Sequence, residues 1–396
     1  MLLGSIALPE YYSFKLTFLG VRFTFFTANP LHTQLDHRVS TNASRAILAG
    51  NDGYLQKYLK AKIFRQCQKL FPEWATLSIA DFEFDDPRGF SSFTLGIRST
   101  IPAQPAAVLY RRLEGKANAI LNFETEKEVF LTLGAHDIAA HCYYYDKTCR
   151  IEAFYQGRTL QAEDLFEPEN LCQIANQLYH FHQLMPASLP QQGFFEMLHV
   201  KWGQIAKQVL EQQIATFPPY ERAMCEELRE IYSLATFEKV RRCLPDSELT
   251  FCHNDTYHGN IFKLNSGEIK LLDFEFSCLN NKAYDFSNLF AETVMRHQQP
   301  DYPYFRIAEP EYGDHELGML INFYLDNADF DNQAVRLKEF QKLLHDTKIM
   351  LMMSDYKYAM AALPLAVDPI QKIRFIPYAH QRFNKFLAAY EQFTRR

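Results

Sequence analysis

The spacing of apolar and polar positions changes period several times along this chain, and each change marks an element. Tyr54, Tyr58, Ala61, Phe64 and Leu70 recur near helical spacing and Pro72 closes the run, so a helix is expected over 54–71. Residues 77–84 and 93–98 read as strands, separated by the polar turn Asp85-Asp86-Pro87-Arg88-Gly89-Phe90-Ser91-Ser92. A third strand over 106–113 stays apolar until it ends in Arg111 and Arg112. Helical period returns over 123–133, with Val129, Phe130 and Leu133 on one face. It returns again over 169–184, where Leu171, Ile174, Leu178 and Phe181 follow 3-4-3 spacing. Phe217-Pro218-Pro219 is expected as a break between later helices.

The stretch LTFCHNDTYHGNIFKLNSGEIKLLDFEFSCLNNKAYDFSNLFAE, residues 249–292, carries the candidate chemistry. Two apolar runs flank the turn Asn265-Ser266-Gly267, which predicts a hairpin. That hairpin puts Asp255 and Asn260 on one loop, with Asp273 just past the second strand and facing them. A single acidic residue in a turn is ordinarily a cap or an Asx-turn. The joint spacing of acid, four residues, Asn, hairpin and second acid is what points to phosphoryl transfer. One carboxylate orients or accepts the proton of an attacking hydroxyl, while an amide and a second carboxylate hold Mg²⁺ against nucleotide phosphates. The catalytic and metal-binding residues of protein kinases follow the same order.

Composition narrows the class. A chain of 396 residues can bury a large core and is long enough for two lobes. A net charge of -6 with dispersed Lys and Arg offers no basic stripe, so nucleic acid is not an expected partner. The eight cysteines show no CxxC and no paired spacing, which argues against a zinc site or a disulfide framework. The apolar stretch over 16–28 is interrupted by Arg22 and too short to cross a bilayer, and no small-residue cleavage site follows it. A cytoplasmic enzyme without a membrane span is expected, and an oligomer is possible. Residues 1–50 read as an extension of unknown role with strand-like character.

His253-Asn254-Asp255-x4-Asn260 followed by Asp273, Glu275, Asn280 and Asp285 resembles the signature of the choline/ethanolamine kinase family. That family is an aminoglycoside-phosphotransferase-like branch of the protein-kinase-like superfamily. The second half fits its hhDhE-x4-N-x4-D pattern, where h is apolar, and extends to Glu292. The resemblance implies a two-lobed, protein-kinase-like α+β fold, with a small N-terminal lobe built on an antiparallel sheet and a larger, mainly helical C-terminal lobe. It divides the chain into the extension 1–50, a nucleotide-binding lobe 51–155 and a catalytic and acceptor-binding lobe 156–396.

The resemblance also implies roles. Asp255 is the catalytic carboxylate, Asn260 and Asp273 are the Mg²⁺ ligands, and ATP is the phosphoryl donor. Gly89, Ser91 and Ser92 stand in the place of the family's phosphate-covering loop, although Arg88 and Ser92 replace a Gly and an Asn expected there. Matching the family's LLRhYG strand by its trailing Gly makes Arg112 the phosphate-binding residue, and period-2 alternation then puts Arg111 in solvent. Glu126 is the helix acid that pairs with Arg112, with Glu124 and Glu128 as neighbours one turn away. Residues 150–155, including Glu152 and Phe154, resemble the hinge strand whose backbone bonds adenine. His253, Asn254, Glu275, Asn280 and Asp285 are expected to support the loop and the metal site, and neither His180 nor His182 is expected to be catalytic.

For the acceptor, Glu292 matches the family's carboxylate near the substrate cation, and Tyr378 falls in a Y-A-x-x-R-F pattern. A quaternary ammonium is held by aromatic faces. The family's Trp-x-x-Trp pair is replaced by Tyr358 and Ala361 here, and the only tryptophans, Trp74 and Trp202, lie elsewhere in the sequence. The expected cage therefore consists of Tyr358, Tyr378 and Phe276, and choline, ethanolamine or another small amino alcohol remains open as the acceptor. The alternatives are a kinase for an aminoglycoside, thiamine or a protein, and a binding protein on a non-catalytic kinase scaffold.

Overall fold

Alternation along the strands of an N-terminal sheet decides which side chains pack on the first helix and which point away from it. The computed structural model describes residues 12–18, 21–27, 53–85, 93–113, 121–297, 299–367 and 374–395. Within the extension, β1 (Tyr12–Phe18) and β2 (Val21–Thr27) pair as an antiparallel hairpin. The first expected helix forms as α1 (Gly53–Leu70). It packs Ile63, Phe64 and Cys67 against one face of a five-stranded antiparallel sheet. The strands are β3 (Phe82–Phe84), β4 (Phe93–Ser99), β5 (Ala107–Arg112), β6 (Cys142–Tyr145) and β7 (Cys149–Ala153), in the order β3-β4-β5-β7-β6.

Leu95, Ile97, Val108, Tyr110, Cys149 and Ile151 share the α1 side with Trp74 and Phe82. The pairings Leu95↔Tyr110, Ile97↔Val108 and Tyr110↔Ile151 keep them in line. By the period of two, Gly96, Leu109, Arg111, Arg150 and Glu152 must point the other way. The strand expected over 77–84 shrinks to β3. Ser78 Oγ accepts from Ala80 N–H at 3.3 Å and Asp81 Oδ2 accepts from Ser78 N–H at 2.8 Å. This capping box turns Ile79–Asp81 into a 3₁₀ turn, because short polar side chains capture backbone donors that a strand would pair.

Below the sheet, α2 (Phe123–Ala135) starts at Asn122, whose side chain accepts from Thr125 N–H at 3.0 Å. Its buried Val129, Phe130 and Leu133 join the larger of two hydrophobic cores, so that core reaches into the segment expected as the nucleotide lobe. The rest of that core is helical: α3 (Pro168–His182), α4 (Phe194–Gln212), α5 (Pro219–Leu228), α6 (Leu234–Cys243), α7 (Ala283–Ala291), α8 (Asp314–Leu325), α9 (Gln333–Leu365) and α10 (Phe375–Thr394). At 1.5 Å per residue α9 spans about 50 Å, and it packs against α4, α7, α8 and α10. Between the helices, β8 (Gly157–Thr159), β10 (Ile261–Leu264) and β11 (Ile269–Leu271) form one small sheet. Strands β9 (Thr250–Cys252) and β12 (Cys278–Asn280) form a second. The hairpin read around Asn265-Ser266-Gly267 is β10–β11, with Gly267 at φ 92°, a left-handed conformation open to glycine.

Trp74 closes the N-terminal core. It is fully buried, packs on Phe64, Phe71 and Phe82, and donates from Nε1 to Pro105 O at 2.9 Å. Trp74→Ala should remove roughly 3–5 kcal/mol of stability. Denaturant unfolding compared with wild type measures it, and a change under 1 kcal/mol would mean that this core does not depend on the indole.

Candidate active site

The loop after β9 is held by one carboxylate. Asp285, in the first turn of α7 and fully buried, accepts from His253 N–H through Oδ2 and from Asn254 N–H through Oδ1, both at 2.8 Å. Its Oδ2 also meets His182 Nε2 at 3.0 Å, and His182 Nδ1 meets the Tyr324 hydroxyl at 3.0 Å. His182, Cys252 and Asp285 lie close enough together to suggest metal ligands. However, the Asp285 and His182 atoms are taken up by these protein partners, and burial keeps the Cys252 thiol protonated by pushing its pKa well up. The cluster anchors the loop.

Asn254 is left-handed at φ 64°, a region that Asn tolerates. Its amide donates to Phe276 O at 3.0 Å and Cys278 O at 3.2 Å and accepts from Asn280 Nδ2 at 2.7 Å, tying the loop to β12. The His253 ring spans the site. Nε2 donates to Leu272 O at 2.9 Å, and Nδ1 accepts from Asp255 N–H at 3.2 Å. His253 thus couples the backbone of Asp255 to the residue before Asp273.

Asp255 Oδ2 accepts from Asn260 Nδ2 at 2.8 Å, and the same amide donates to Asp255 O at 2.9 Å. Oδ1 is in contact with the ammonium of Lys357 and lies 3.4 Å from the Tyr358 hydroxyl. Asp273 follows β11 at φ 62°, a left-handed position for a non-glycine residue. Its Oδ1 lies 3.4 Å from Arg111 Nη1, which bridges the sheet and the hairpin. The ring of Tyr257 lies across Gly259, where a Cβ would fall 2.5 Å from the ring. Burial raises the Tyr257 phenol pKa, and Asp255, Asp273, Glu292 and Glu275 add to the effect.

Of the two adjacent arginines, Arg111 and not Arg112 points to this side. Burial opposes its charge, yet Asp273, Glu152, Glu275 and Glu126 around it hold its pKa above the ordinary value. Arg111 Nε is buried and has no hydrogen-bond partner among the described residues. Arg112 is paired in register with Phe93 and Cys149 and shares a strand face with Val108 and Tyr110, the α1 side. The expectation that Arg111 lies in solvent is corrected: it faces Asp273, because the strand before it is apolar on both faces and shows no alternation that fixes its facing.

Glu126 is buried in the first turn of α2 and acts on Arg111, whereas Glu128 points away and accepts from Ala187 N–H at 2.8 Å and Ser188 N–H at 3.2 Å. Glu152 Oε2 receives Arg150 Nε at 2.5 Å, and the Arg150 guanidinium lies 3.5 Å above the Phe130 ring. Phe154 lies under the Arg98 guanidinium, 5.2 Å from ring centre to Cζ, and beside Gly96, where a Cβ would meet its ring at 2.8 Å. Gly89, Ser91 and Ser92 lie outside the described residues.

The four residues assigned to the acceptor do converge, but around the protein's own cations. Lys357 Nζ sits 3.9 Å from the Tyr358 ring centre and 5.4 Å from that of Phe276. The Arg382 guanidinium lies 5.3 Å from the Tyr358 ring centre and 5.4 Å from that of Tyr378. Arg382 contacts Glu292, donates to Asp355 Oδ1 at 2.7 Å and reaches the Tyr378 hydroxyl at 3.2 Å. Burial raises the Glu292 pKa, with Arg382 and Lys357 opposing. Trp202, remote in sequence, meets the Phe276 ring edge-on at 5.4 Å and 88°. Lys357 and Trp202 carry no local sequence signal, since each reads as one more residue of a long helix.

The family model for choline/ethanolamine kinase matches residues 89–387. A choline/ethanolamine kinase of Homo sapiens is 25% identical over 313 residues, covering 74% of this chain and 75% of the relative. Among solved structures, a choline kinase from Cryptosporidium parvum matches with a TM-score of 0.68 at 18% identity, covering 85% of this chain and 96% of that one. An ethanolamine kinase from Plasmodium vivax matches at 0.64 and 19%, covering 90% and 97%. These two likenesses show the fold, which is the two-lobed protein-kinase-like α+β architecture.

Arg111→Ala should lower kcat/KM for the nucleotide roughly 10²–10³-fold, as expected for loss of one preorganised cationic donor. Arg112→Ala should stay within a few-fold of wild type. Steady-state kinetics on both variants decide it, and the opposite ranking would return the role to Arg112.

Proposed function

Because the chain belongs to the choline/ethanolamine kinase family, we propose that it transfers the γ-phosphoryl group of ATP to the hydroxyl of choline or ethanolamine. The observation that carries this reading is the joint placement of Asp255, Asn260 and Asp273 opposite Arg111. In the transfer, the acceptor hydroxyl gives its proton to Asp255 while its oxygen bonds to the γ-phosphorus. The bond from that phosphorus to the bridging oxygen breaks and leaves ADP. Arg111, with an unpartnered buried Nε, meets phosphate charge, and Glu126 holds Arg111 in place.

The residues fit Mg²⁺. Both hydrogen bonds of the Asn260 amide use Nδ2, which leaves its oxygen as a donor atom to a metal, and Asp273 adds a carboxylate. This is a hard oxygen set of the kind Mg²⁺ takes. Bound there, the ion neutralises charge on the nucleotide phosphates. Glu275 stands next to this set and adds negative charge around Arg111. The acceptor's cationic end is assigned to Glu292, Phe276, Tyr358 and Tyr378. No helix among the described residues is long and apolar enough to cross a membrane.

An ATP-consumption screen over choline, ethanolamine, thiamine and aminoglycosides should give turnover with an amino alcohol. Asp255→Asn also removes the counter-ion of Lys357, so it is first checked by thermal melting; the folded variant should bind ATP but lose roughly 10²–10⁴-fold in kcat. Near-normal turnover in that variant would remove Asp255 from the chemistry. Titrating Mg²⁺ against Asp273→Ala should show nucleotide binding that no longer responds to the metal, and an unchanged Mg²⁺ response would make Asp273 structural.

A further inference from the structure

Lys357 sits where the proposed function puts the cation of the acceptor. Its side chain is 2% exposed, its ammonium contacts Asp255 Oδ1, and it rests 3.9 Å from the Tyr358 ring centre. It also acts on Glu292, so one ammonium is surrounded by both carboxylates and two of the rings assigned to substrate. At that distance from Tyr358 no second cation fits between ammonium and ring face. Asn260 donates to Asp255 Oδ2 and the Lys357 ammonium contacts Oδ1, so an acceptor hydroxyl approaching Oδ1 competes with that ammonium for the space beside it.

Resting on the amino-alcohol reading, we propose that Lys357 is a tethered competitor for the acceptor site that lowers its affinity for every acceptor, while the carboxylates and rings around it favour a primary ammonium. Its methylene-bound ammonium has the same chemistry as the charged end of a primary amino alcohol. It fills the site when no acceptor is bound and gives it up when one binds, its four-carbon stem allowing the head to swing away. A site shaped around a primary ammonium offers carboxylates as hydrogen-bond acceptors and two tyrosine rings and one phenylalanine ring for contact. A primary ammonium can use both, whereas a trimethylammonium cannot donate and is bulkier. The favoured acceptor is therefore a primary amino alcohol, and quaternary ammonium alcohols are selected against.

The test is steady-state kinetics with ethanolamine and choline on wild type, Lys357→Met and Lys357→Arg, each checked for folding by thermal melting. Wild type should show a KM for choline at least about tenfold above that for ethanolamine. Lys357→Met should lower both KM values by about tenfold or more, the size of one desolvated cation–ring contact. Choline and ethanolamine should gain by a similar factor, because each must displace the same ammonium, while the KM for ATP stays unchanged. Lys357→Arg keeps the charge and should keep the high acceptor KM. Should Lys357→Met fail to fold, Lys357→Gln carries the same expectation. An acceptor KM that is unchanged or raised in Lys357→Met, or equal effects of the Met and Arg variants, would overturn the proposal while leaving the kinase assignment standing. Absence of turnover with both amines in every variant that still binds ATP would instead remove the amino-alcohol reading, and this proposal with it.

Discussion

The carboxylate of Asp285 gathers two consecutive backbone N–H groups at the point where β9 ends and the catalytic loop begins. Those amides are buried, and leaving a buried donor unpaired costs about 1–3 kcal/mol. The two oxygens of one carboxyl group satisfy both, and His182 supports Oδ2 from α3. With the chain pinned there, Asn254 can hold a left-handed turn and clamp β12, and His253 can reach from the Asp255 amide to the Leu272 carbonyl. The relative placement of Asp255 and Asp273 therefore follows from contacts made by Asp285, Asn254 and His253.

The cleft concentrates charge, and it does so by pairing. Arg111 stands among four acids, Arg150 meets Glu152, Lys357 meets Asp255, and Arg382 meets Glu292 and Asp355. Removing one partner of a buried pair costs about 3–5 kcal/mol, because the remaining charge is stranded away from water. Glu292 thus has two duties: it is the counter-ion of a buried guanidinium as well as the carboxylate assigned to the acceptor. A variant that deletes it disturbs the scaffold along with any substrate contact, and an effect on acceptor KM has to be separated from an effect on folding.

Much of this arrangement was legible in the amino-acid order. The helices starting near residues 54, 123 and 169 carry strong 3.6-residue periodicity, and the β10–β11 hairpin carries its own turn signal. The spacing of Asp255, Asn260, Asp273 and Asp285 is short enough to be read as one unit. The strand expected over 77–84 forms only over its last three residues, because the backbone donors of the first part go to Ser78 and Asp81.

Sequence alone determined the local order of elements, the residues of the loop and hairpin, and the family to which they belong, since periodicity, turn chemistry and motif spacing all act over a few residues. Only the tertiary structure decided which of two adjacent arginines enters the cleft, because a strand apolar on both sides takes its facing from its partners' register. It also decided what occupies the space beside Asp255. Lys357 lies 102 residues away along the chain on α9, and Trp202, packed on Phe276, comes from α4. No local pattern couples such positions. They meet because α9 runs through the core beside both α4 and α7, and packing of whole helices sets which side chains share one desolvated volume.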